Sequence, residues 1–380
     1  MAGFVRVKAW VKSIPVLGPV ARKIWQRLKM RNIEAGMKRV MRSRDGRPDF
    51  KGKIGKLLHR VDKNPRPNNN ELNVILLKDL HLAYLSIKAL GDQLGRSLQK
   101  ERLDHSPCSP QPMRVGLKSK PCTQSDIESA WAGYWCAQMK QERVYHRKTW
   151  EICYVPQVIL DRLGGFDGRQ GLGFGCGEEP LPSLLAALGS QITATDAPPS
   201  LSKGWADTGQ YAGTVEKLYK SSIIARDVFD RRVSHYFVDM NNIPIELNGQ
   251  FDFCWSICCM EHLGSIENGI RFLEKSYQVL KPGGVSVHTM DFNIDDGPTI
   301  DNWPCVLFQR RHLLEAKKRL ERLGAAVGEM DFNTGDGPLD NYIDLPPYNQ
   351  PLQASVPHLK LATDGFRCTC FGIIITKPSD

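Results

Sequence analysis

The sequence predicts an α/β fold in which a mostly parallel sheet is flanked by helices. From Arg169 onward, short apolar segments alternate with amphipathic helical segments, which is typical of parallel strands joined by crossover helices. A glycine-rich turn also lies between the first of these strands and the helix after it. We place the strands at 169–175, 190–195, 234–239, 251–257, 283–290, 324–331 and 368–377.

Two helical segments precede this sheet. The stretch SDIESAWAGYWCAQMKQE at 125–142 predicts one helix, because Ser125 followed by Glu128 is a capping-box pattern. A second helix is predicted near 145–163. We therefore expect the α/β domain to occupy residues 123–380.

The positive charge is concentrated at the N-terminus. Residues 1–60 hold seventeen Lys/Arg and three Asp/Glu, which gives them +14, so the remaining 320 residues sum to −4. We treat residues 1–60 as a basic, helical N-terminal extension and residues 61–122 as a helix followed by a Pro/Ser-rich linker. The slightly acidic main domain argues against a nucleic-acid groove across it.

Residues 1–31 suit a membrane surface. Val20, Ile24 and Leu28 are spaced by four among Lys and Arg residues, a pattern typical of an amphipathic helix in a membrane interface. The alternatives are a basic helix docked on this protein or on a partner and, less favoured, RNA binding. No segment reaches the roughly 18 apolar residues of a transmembrane helix, and charges interrupt the apolar N-terminal stretch where a signal peptide would not tolerate them. We expect a cytoplasmic protein with peripheral contact at the inner membrane.

Residues 71–103 predict a long helix with Asn70 as its N-cap. Its apolar residues alternate spacings of four and three, as in a coiled-coil seam. They are Leu76, Leu80, Ala83, Ile87, Leu90 and Leu94. This seam predicts either a homo-oligomer contact or packing on the main domain.

The eleven cysteines give no sign of a disulfide framework or a zinc site. They are odd in number, they form no CxxC pair, and no Cys/His spacing matches that of zinc ligands. We expect reduced thiols, as in a cytoplasmic protein.

The glycine-rich turn is the strongest candidate for a binding site. Gly171, Gly173, Gly175 and Gly177 lie where glycine lets the backbone approach a ligand. The free N–H groups at the start of the following helix can hold a carboxylate or phosphate. Nineteen residues after Gly177, Asp196 closes the second strand, where an acid can accept both ribose hydroxyls of a nucleoside. The dinucleotide fingerprint GxGxxG fits in neither frame.

Three further features separate this site from a dinucleotide site. Asp239 and Met240 close the third strand, where an acid can bind the adenine amine and a methionine can cover the adenine face. The fourth strand ends in the polar stretch from Ser256 to His262. The turn KPGG at 281–284 then precedes the fifth strand.

This layout resembles the class I S-adenosylmethionine-dependent methyltransferases, and more closely the bacterial methyltransferases found among surface-polysaccharide and glycosyltransferase enzymes. The resemblance runs from about residue 123 to the C-terminus and does not cover residues 1–70. The matching stretches are YWC (134–136), YHRKTWE (145–151), GLGFGCGEEPLP (171–182), TATDAP (193–198), FDFCWSICCMEHLGSIENG (251–269), KPGG (281–284) and HTMDFN (288–293).

The resemblance implies a Rossmann-like sheet of seven strands with the last one antiparallel, and S-adenosylmethionine as cofactor. The residues it implies for the cofactor are the four glycines of the turn, Asp196, Asp239, Met240 and Ser256. One departure stands out, because class I enzymes often have an acid where Gly171 stands here. Glu178 or Glu179 is a candidate replacement.

The resemblance also implies methyl transfer to an acceptor. A neutral hydroxyl acceptor needs a base for its proton, and His262 is the first candidate, followed by His288 and His146. Glu261 is expected either to orient the imidazole of His262 or to face solvent. A structural role is the alternative for each histidine.

A run of polar residues follows the fifth strand. Oxygen ligands such as those of Asp291, Asn293, Asp295 and Asp296 can hold magnesium, but short Asp/Asn/Gly runs are usually turns, and we predict no metal. The segment MDFNIDDGP at 290–298 recurs as MDFNTGDGP at 330–338. Since both follow predicted strands, we expect both at one rim of the sheet.

The sequence thus predicts an S-adenosylmethionine-dependent methyltransferase that O-methylates a sugar hydroxyl in bacterial polysaccharide assembly. The sugar rests on the resemblance alone. One alternative is an RNA methyltransferase that binds RNA phosphates through its basic extension. The other is a protein that binds S-adenosylmethionine without catalysis and serves as an assembly partner.

Overall fold

The computed structural model of the 380-residue chain describes residues 80–202, 210–302, 304–346, 348 and 357–379. The predicted basic extension at 1–60 lies outside the described residues. The first part of the helix predicted at 71–103 does too, together with its N-cap at Asn70. No described helix combines the length and hydropathy needed to cross a bilayer. Residues Lys88–Asp380 form one compact unit.

The described residues form a nine-stranded mixed sheet. Its strands are β1 (Lys120–Pro121), β2 (Gln170–Phe174), β3 (Gln191–Asp196), β4 (Val233–Phe237), β5 (Phe251–Ile257), β6 (Leu280–Asn293), β7 (Ile343–Asp344), β8 (Lys360–Thr363) and β9 (Phe366–Thr376). They lie in the order β4-β3-β2-β5-β6-β9-β8-β7, and β1 pairs with β9 as well. Strands β2 to β6 are parallel, whereas β9 runs antiparallel to β6.

The predicted Rossmann-like, mostly parallel sheet is confirmed. The first four predicted strands correspond to β2 through β5, with ends that agree within two residues. The predicted fifth strand at 283–290 is longer in the structure, because β6 includes the KPGG turn and continues to Asn293. The last predicted strand corresponds to β9 and is antiparallel, as the resemblance implied.

The predicted strand at 324–331 is wrong. In this segment Ala326 makes an isolated bridge to Thr376, and Met330 makes another to Ser119. The segment is poor in β-branched residues, which favour strands, and Gly324 has a φ of 87°. The outer edge of β9 is covered instead by β8 and β1. The described sheet has nine strands rather than seven, because β1, β7 and β8 were not predicted and the predicted strand at 324–331 does not form.

Helices cover the sheet. They are α1 (Leu80–Leu98), continued by a π-helical turn at Gln99–Leu103, α2 (Gln124–Ile127), α3 (Ala130–Gln138), α4 (Arg147–Leu163), α5 (Leu181–Ala187), α6 (Arg226–Arg232), α7 (Ile266–Gln278) and α8 (Arg310–Arg322). The helix predicted near 145–163 is confirmed as α4. It begins after the N-cap His146, whose ring nitrogen accepts the Lys148 N–H.

Residues 125–142 form two short helices rather than the single one predicted. The capping box at Ser125 is wrong, since α2 begins after Thr123 and the Ser125 hydroxyl lies 3.2 Å from the Thr123 hydroxyl. Glu128 accepts a hydrogen bond from Gln124 instead. The backbone is extended at Ser129, and the Ser129 side chain caps α3 by accepting the Ala132 N–H.

The sheet is buried on both faces, and successive strand residues alternate between the two cores. Phe253, Trp255 and Ile374 pack with α3, α4 and α5 on one face. Cys254 and Ile373 belong to the opposite core with α7 and α8. This period of two is what a sheet covered by helices on both sides requires.

Helix α1 carries the predicted heptad seam. Leu98 is buried, and Leu94 packs against the core that contains α4, so the C-terminal part of the seam contacts the domain. Leu90 is 66% exposed, and Leu80 and Ile87 are also exposed. The homo-oligomer contact stays a prediction.

Candidate active site

The glycine-rich turn follows β2 at the carboxyl end of the sheet. Gly175 and Gly177 have φ values of 59° and 53°, the left-handed region that favours glycine. A Cβ at Gly175 would lie 2.7 Å from the Cys259 sulfur, and one at Gly177 would lie 2.8 Å from the Gln210 carbonyl oxygen. Side chains are therefore excluded from this bend, which leaves its backbone close to its neighbours.

Asp196 lies against the same bend at the end of β3. Its carboxylate accepts N–H groups from Gly177 at 3.1 Å, Ala197 at 2.9 Å and Ala212 at 2.9 Å. Burial raises the pKa of Asp196, and these three donors partly offset that effect. An ionised carboxylate has about four acceptor sites, so Asp196 keeps capacity for one further donor such as a ribose hydroxyl. The predicted pairing of Asp196 with the glycine turn therefore fits a nucleoside cofactor.

Asp239 and Met240 follow β4 at the same edge of the sheet. The Asp239 carboxylate accepts the Asn241 N–H at 2.9 Å and the Asn242 side-chain amide at 2.7 Å. Met240 is buried, and its sulfur would lie 3.6 Å from a Cβ at Gly175. The structure thus places Met240 beside the glycine bend, where it can cover one face of a bound base.

Ser256 and His288 differ from their predicted site roles. The Ser256 hydroxyl lies 2.8 Å from Nδ1 of His288, and the other ring nitrogen faces the hydroxyls of Ser276 and Ser286. Both side chains are fully buried on the α7 side of the sheet, and burial lowers the pKa of His288 to about 3. A neutral imidazole held by three serines in the core is a structural group, so His288 is not positioned as a base.

A cluster of ionisable groups lies at the same end of β5 and β6. This charged cluster comprises Arg147, Lys148, Glu151, Cys258, Glu261 and Asp291. The first turns of α4 supply three of these residues, the segment after β5 supplies two, and β6 supplies Asp291. Its α4 members were not among the site residues predicted from the sequence, although charges within an otherwise apolar helix are an available signal.

Ion pairs and hydrogen bonds connect the charged cluster across α4, the segment after β5, and β6. Arg147 forms an ion pair with Asp291, and Glu151 accepts hydrogen bonds from the Cys258 thiol at 2.8 Å and the Thr289 hydroxyl at 2.5 Å. Burial opposes the ionisation of Asp291, but the cations outweigh it and hold the pKa of Asp291 below its ordinary value. Cys258 has a φ of 47°, in the left-handed region that is unfavourable for residues other than glycine. Residues with such strained backbones are often found at functional sites.

Several buried polar atoms of this cluster have no hydrogen-bond partner among the described residues. They are Arg147 Nε, Glu151 Oε1 and Glu261 Oε2, of which Glu151 Oε1 lies 3.6 Å from the Lys148 ammonium in an ion pair. Buried polar atoms in folded proteins are nearly always paired, so the cluster has unused donor and acceptor capacity. A polar molecule bound there would satisfy both kinds of group.

Glu261, rather than the predicted base His262, lies in the charged cluster. Glu261 is 1% exposed, and an oxygen of its carboxylate, the Cys258 sulfur and an Asp291 oxygen lie within 4.8 Å of one another. Burial, with help from Asp291, raises the pKa of Glu261 to about 7. His262 is half-buried, and its Nδ1 lies 2.9 Å from the Pro304 carbonyl oxygen. The carboxyl group therefore faces the cluster directly.

The remaining polar residues after β6 are dispersed. Asp295 forms an ion pair with Arg367, and the Asn293 side chain donates to the Thr299 hydroxyl at 3.2 Å. The recurring MDFN segments do meet, since the rings of Phe292 and Phe332 lie 6.2 Å apart. Only the first copy reaches the charged cluster, through Asp291, whereas the second lines a separate cavity of about 340 Å³.

This chain is similar to known methyltransferase domains. A family model described as "Methyltransferase domain" matches residues 147–333. No curated protein matches the sequence. Among solved structures, the [4+2]-cyclase SpnF is 17% identical, with 76% of this chain and 97% of that chain covered and a TM-score of 0.41.

Two further solved structures are similar at comparable levels. A putative sarcosine dimethylglycine methyltransferase from Galdieria sulphuraria is 15% identical, with 65% of this chain and 98% of that chain covered and a TM-score of 0.39. An S-adenosylmethionine-dependent methyltransferase from Mesorhizobium loti is 13% identical, with 58% and 95% covered and a TM-score of 0.36.

The strand order with its antiparallel β9 is that of a class I methyltransferase sheet. Residues 147–333, which contain the glycine bend, Asp196 and the charged cluster, are a methyltransferase domain. The chain therefore contains a methyltransferase domain, with S-adenosylmethionine as the cofactor.

Proposed function

We propose that this enzyme O-methylates a carbohydrate hydroxyl in bacterial glycan assembly. The observation that carries the proposal is the charged cluster, in which Arg147 Nε and Glu261 Oε2 are buried without a hydrogen-bond partner among the described residues. Sugar hydroxyls both donate and accept hydrogen bonds, so a polyhydroxylated acceptor can pair with a guanidinium and with carboxylates at once. An apolar acceptor would leave these groups unpaired at a cost of about 1–3 kcal/mol each.

The cofactor is proposed to lie along the glycine bend. The sulfonium methyl that it supplies is already electrophilic, so the protein's main task is to align the acceptor behind it. Gly175 and Gly177 keep the bend free of side chains, Asp196 holds the ribose, and Asp239 with Met240 holds the adenine. The charged cluster lies at the same end of β5, where Cys259 donates from its thiol to the Gly175 carbonyl oxygen at 3.1 Å.

The acceptor proton is proposed to pass to Glu261. Its carboxyl has an unpaired buried oxygen and a pKa of about 7, which suits a base at neutral pH. His262, the first choice from the sequence, is the adjacent residue. The Lys148 ammonium favours the ionised form of Glu261 and partly offsets the effect of burial on its pKa.

The proposal is tested by incubating the enzyme with S-adenosylmethionine labelled on its methyl group and with fractionated cell-surface glycan precursors. We expect label in a carbohydrate fraction, in a bond that is stable to mild base, as an ether is. Label in an RNA fraction would instead support the alternative suggested by the +14 extension. Cofactor binding without transfer to any fraction would favour a non-catalytic assembly partner.

A further inference from the structure

Lys148 has hydrogen-bonding capacity that the fold does not use. Its ammonium forms an ion pair with Glu151 Oε1 at 3.6 Å, a separation longer than that of a hydrogen bond. The ammonium makes no hydrogen bond to any residue that the structure describes. By contrast, the buried Lys360 ammonium donates to the Cys122 carbonyl oxygen at 2.7 Å and to Asp340 at 3.2 Å. The three N–H donors of Lys148 are therefore available to a bound molecule.

The Lys148 side chain can be reached by a molecule that enters the site. It is 35% exposed, whereas its partner Glu151 is fully buried. Burial opposes the charge of Lys148, but the neighbouring acidic groups, with Cys258 and Glu151 foremost, outweigh that effect and raise its pKa above the ordinary value of a lysine. Lys148 thus remains a cationic donor at neutral pH and cannot serve as the base.

Lys148 and Glu261 lie close to the same thiol, that of Cys258. One Glu151 oxygen accepts a hydrogen bond from the Cys258 thiol at 2.8 Å, and the other forms the ion pair with Lys148. An oxygen of the Glu261 carboxylate lies within 4.8 Å of the Cys258 sulfur. The proposed base and an unused cationic donor are therefore neighbours.

The residue after Cys258 connects this group with the glycine bend. The Cys259 thiol donates to the Gly175 carbonyl oxygen at 3.1 Å. The charge of Lys148 acts on Cys259 as well as on Glu261. Since the proposed cofactor lies along the bend, Lys148 is placed between the donor and the base.

A hydroxyl that is methylated needs two kinds of help. Its oxygen gains negative charge as the proton leaves, and the carboxylate that takes the proton does not stabilise that charge. A fixed N–H donor aimed at the oxygen does, and such donors often make the largest single contribution to catalysis. Lys148 is the group beside Glu261 that has this capacity.

We propose that the Lys148 ammonium donates a hydrogen bond to the acceptor oxygen that is methylated. In this step the acceptor O–H bond breaks and its proton passes to Glu261, while an electron pair of the oxygen forms the bond to the methyl carbon. The bond between methyl carbon and sulfur breaks, and its electron pair stays on sulfur. Lys148 keeps its own proton throughout. This inference rests on the proposed O-methyl transfer with Glu261 as base.

The test compares Lys148→Met and Lys148→Arg in the full-length enzyme, with the glycan fraction that accepts label from the wild type. Methionine removes the charge and the donors, whereas arginine keeps both. Lys148→Met should lower kcat by about 10²- to 10³-fold, the loss typical of one donor to a developing oxyanion. The acceptor KM should change less than kcat, because the hydrogen bond strengthens as the oxygen becomes charged. Lys148→Arg should recover part of the lost rate.

The pH profile distinguishes this role from a structural one. The positive charge of Lys148 favours the ionised form of Glu261, so its removal should move the rise of the rate to higher pH. Lys148→Arg should move that rise back. Both variants leave the other titratable groups around Glu261 unchanged, which are Cys258, Cys259, His262, Asp291 and Cys305.

Lys275→Met is the matched control. Lys275 is exposed in the last turn of α7, so the same substitution there should leave kcat and the pH profile as in the wild type. Calorimetry with S-adenosylhomocysteine checks the cofactor site, and we expect the affinity of each variant to stay within about twofold of the wild type.

A full kcat in Lys148→Met would overturn the assignment. A loss of kcat without a shift in the pH profile, or together with loss of S-adenosylhomocysteine binding, would also overturn it, because either result indicates a structural lysine. Failure of the wild type to transfer label to any carbohydrate fraction would refute the proposed function itself, a result obtained before any variant is compared.

Discussion

Arg147 at the start of α4 forms an ion pair with Asp291 on β6, and this pair joins the helix to the carboxyl end of the sheet. The two side chains are 15% and 14% exposed, so neither charge is well solvated. The pair therefore stabilises the fold and presents a guanidinium to the acceptor side at the same time.

Asp291→Asn should destabilise the protein by about 3 kcal/mol or more, because it leaves the Arg147 charge buried without its partner. Urea denaturation measures this change in the free energy of unfolding. Asp295→Asn is the matched control, since Asp295 pairs with Arg367 at the surface. Its effect should stay below about 1 kcal/mol. Equal effects of both substitutions would show that the Arg147 pair has no special role.

Asp196→Ala should abolish measurable binding of S-adenosylhomocysteine. The substitution removes the proposed ribose contact and leaves three backbone N–H groups at the glycine bend without their acceptor. Calorimetry measures the affinity, and circular dichroism checks that the sheet is intact. An undiminished affinity in a folded variant would refute the proposed nucleoside site.

Glu261→Gln should lower the methyl-transfer rate by about 10²- to 10⁴-fold while cofactor affinity is kept, as expected for loss of a general base. In the wild type the rate should rise with pH through about 7, because only the ionised Glu261 carboxylate can accept a proton. His262→Ala, its neighbour control, should have the smaller effect. A rate that survives Glu261→Gln and is lost in His262→Ala would return the role of base to the histidine.

His288→Ala should destabilise the protein by about 2–4 kcal/mol, since it leaves a cavity and removes a partner from three buried serines. Its methyl-transfer rate, measured below the melting temperature, should be close to that of the wild type. A folded variant without activity would show that His288 does more than support the core.

The depressed pKa of His288 also predicts a pH dependence of stability. The unfolded state binds a proton near pH 6.5, whereas the folded state stays neutral down to about pH 3. The contribution of His288 is therefore present above pH 6.5 and is lost as the pH falls toward 3. Wild type and variant should accordingly differ less in stability at pH 4 than at pH 7.

Deletion of residues 1–60 should release the protein from anionic liposomes, since this segment holds the +14 charge. Co-sedimentation measures the bound fraction, and neutral liposomes serve as the control. Binding that persists after the deletion would contradict the membrane proposal. Binding to RNA that weakens steeply with added salt would support the RNA alternative instead.

The sequence predicted the parallel part of the sheet because its strands are short apolar runs between amphipathic helices. It misplaced the sixth strand. The segment at 324–331 is apolar enough to suggest a strand, but β9 is paired instead by β8, which directly precedes it, and by Lys120–Pro121, which lie far earlier in the chain. Strand pairing at an edge is a tertiary property that local composition does not encode.

The candidate site was predicted in part. Gly175, Gly177 and Asp196 follow from the local strand-turn-helix pattern, and the structure brings them together. His288 could not be excluded from the sequence, because the serines that enclose it come from different elements. The roles of Arg147 and Glu151 depend on α4 lying against β5 and β6, a packing relationship that the sequence pattern does not specify.

A crystal structure of the enzyme with S-adenosylhomocysteine is the most direct test of the cofactor site. We expect the ribose at Asp196, the adenine between Asp239 and Met240, and the thioether sulfur facing the charged cluster. A nucleoside bound elsewhere, or a glycine bend that remains closed against Gln210 with the ligand excluded, would contradict this account.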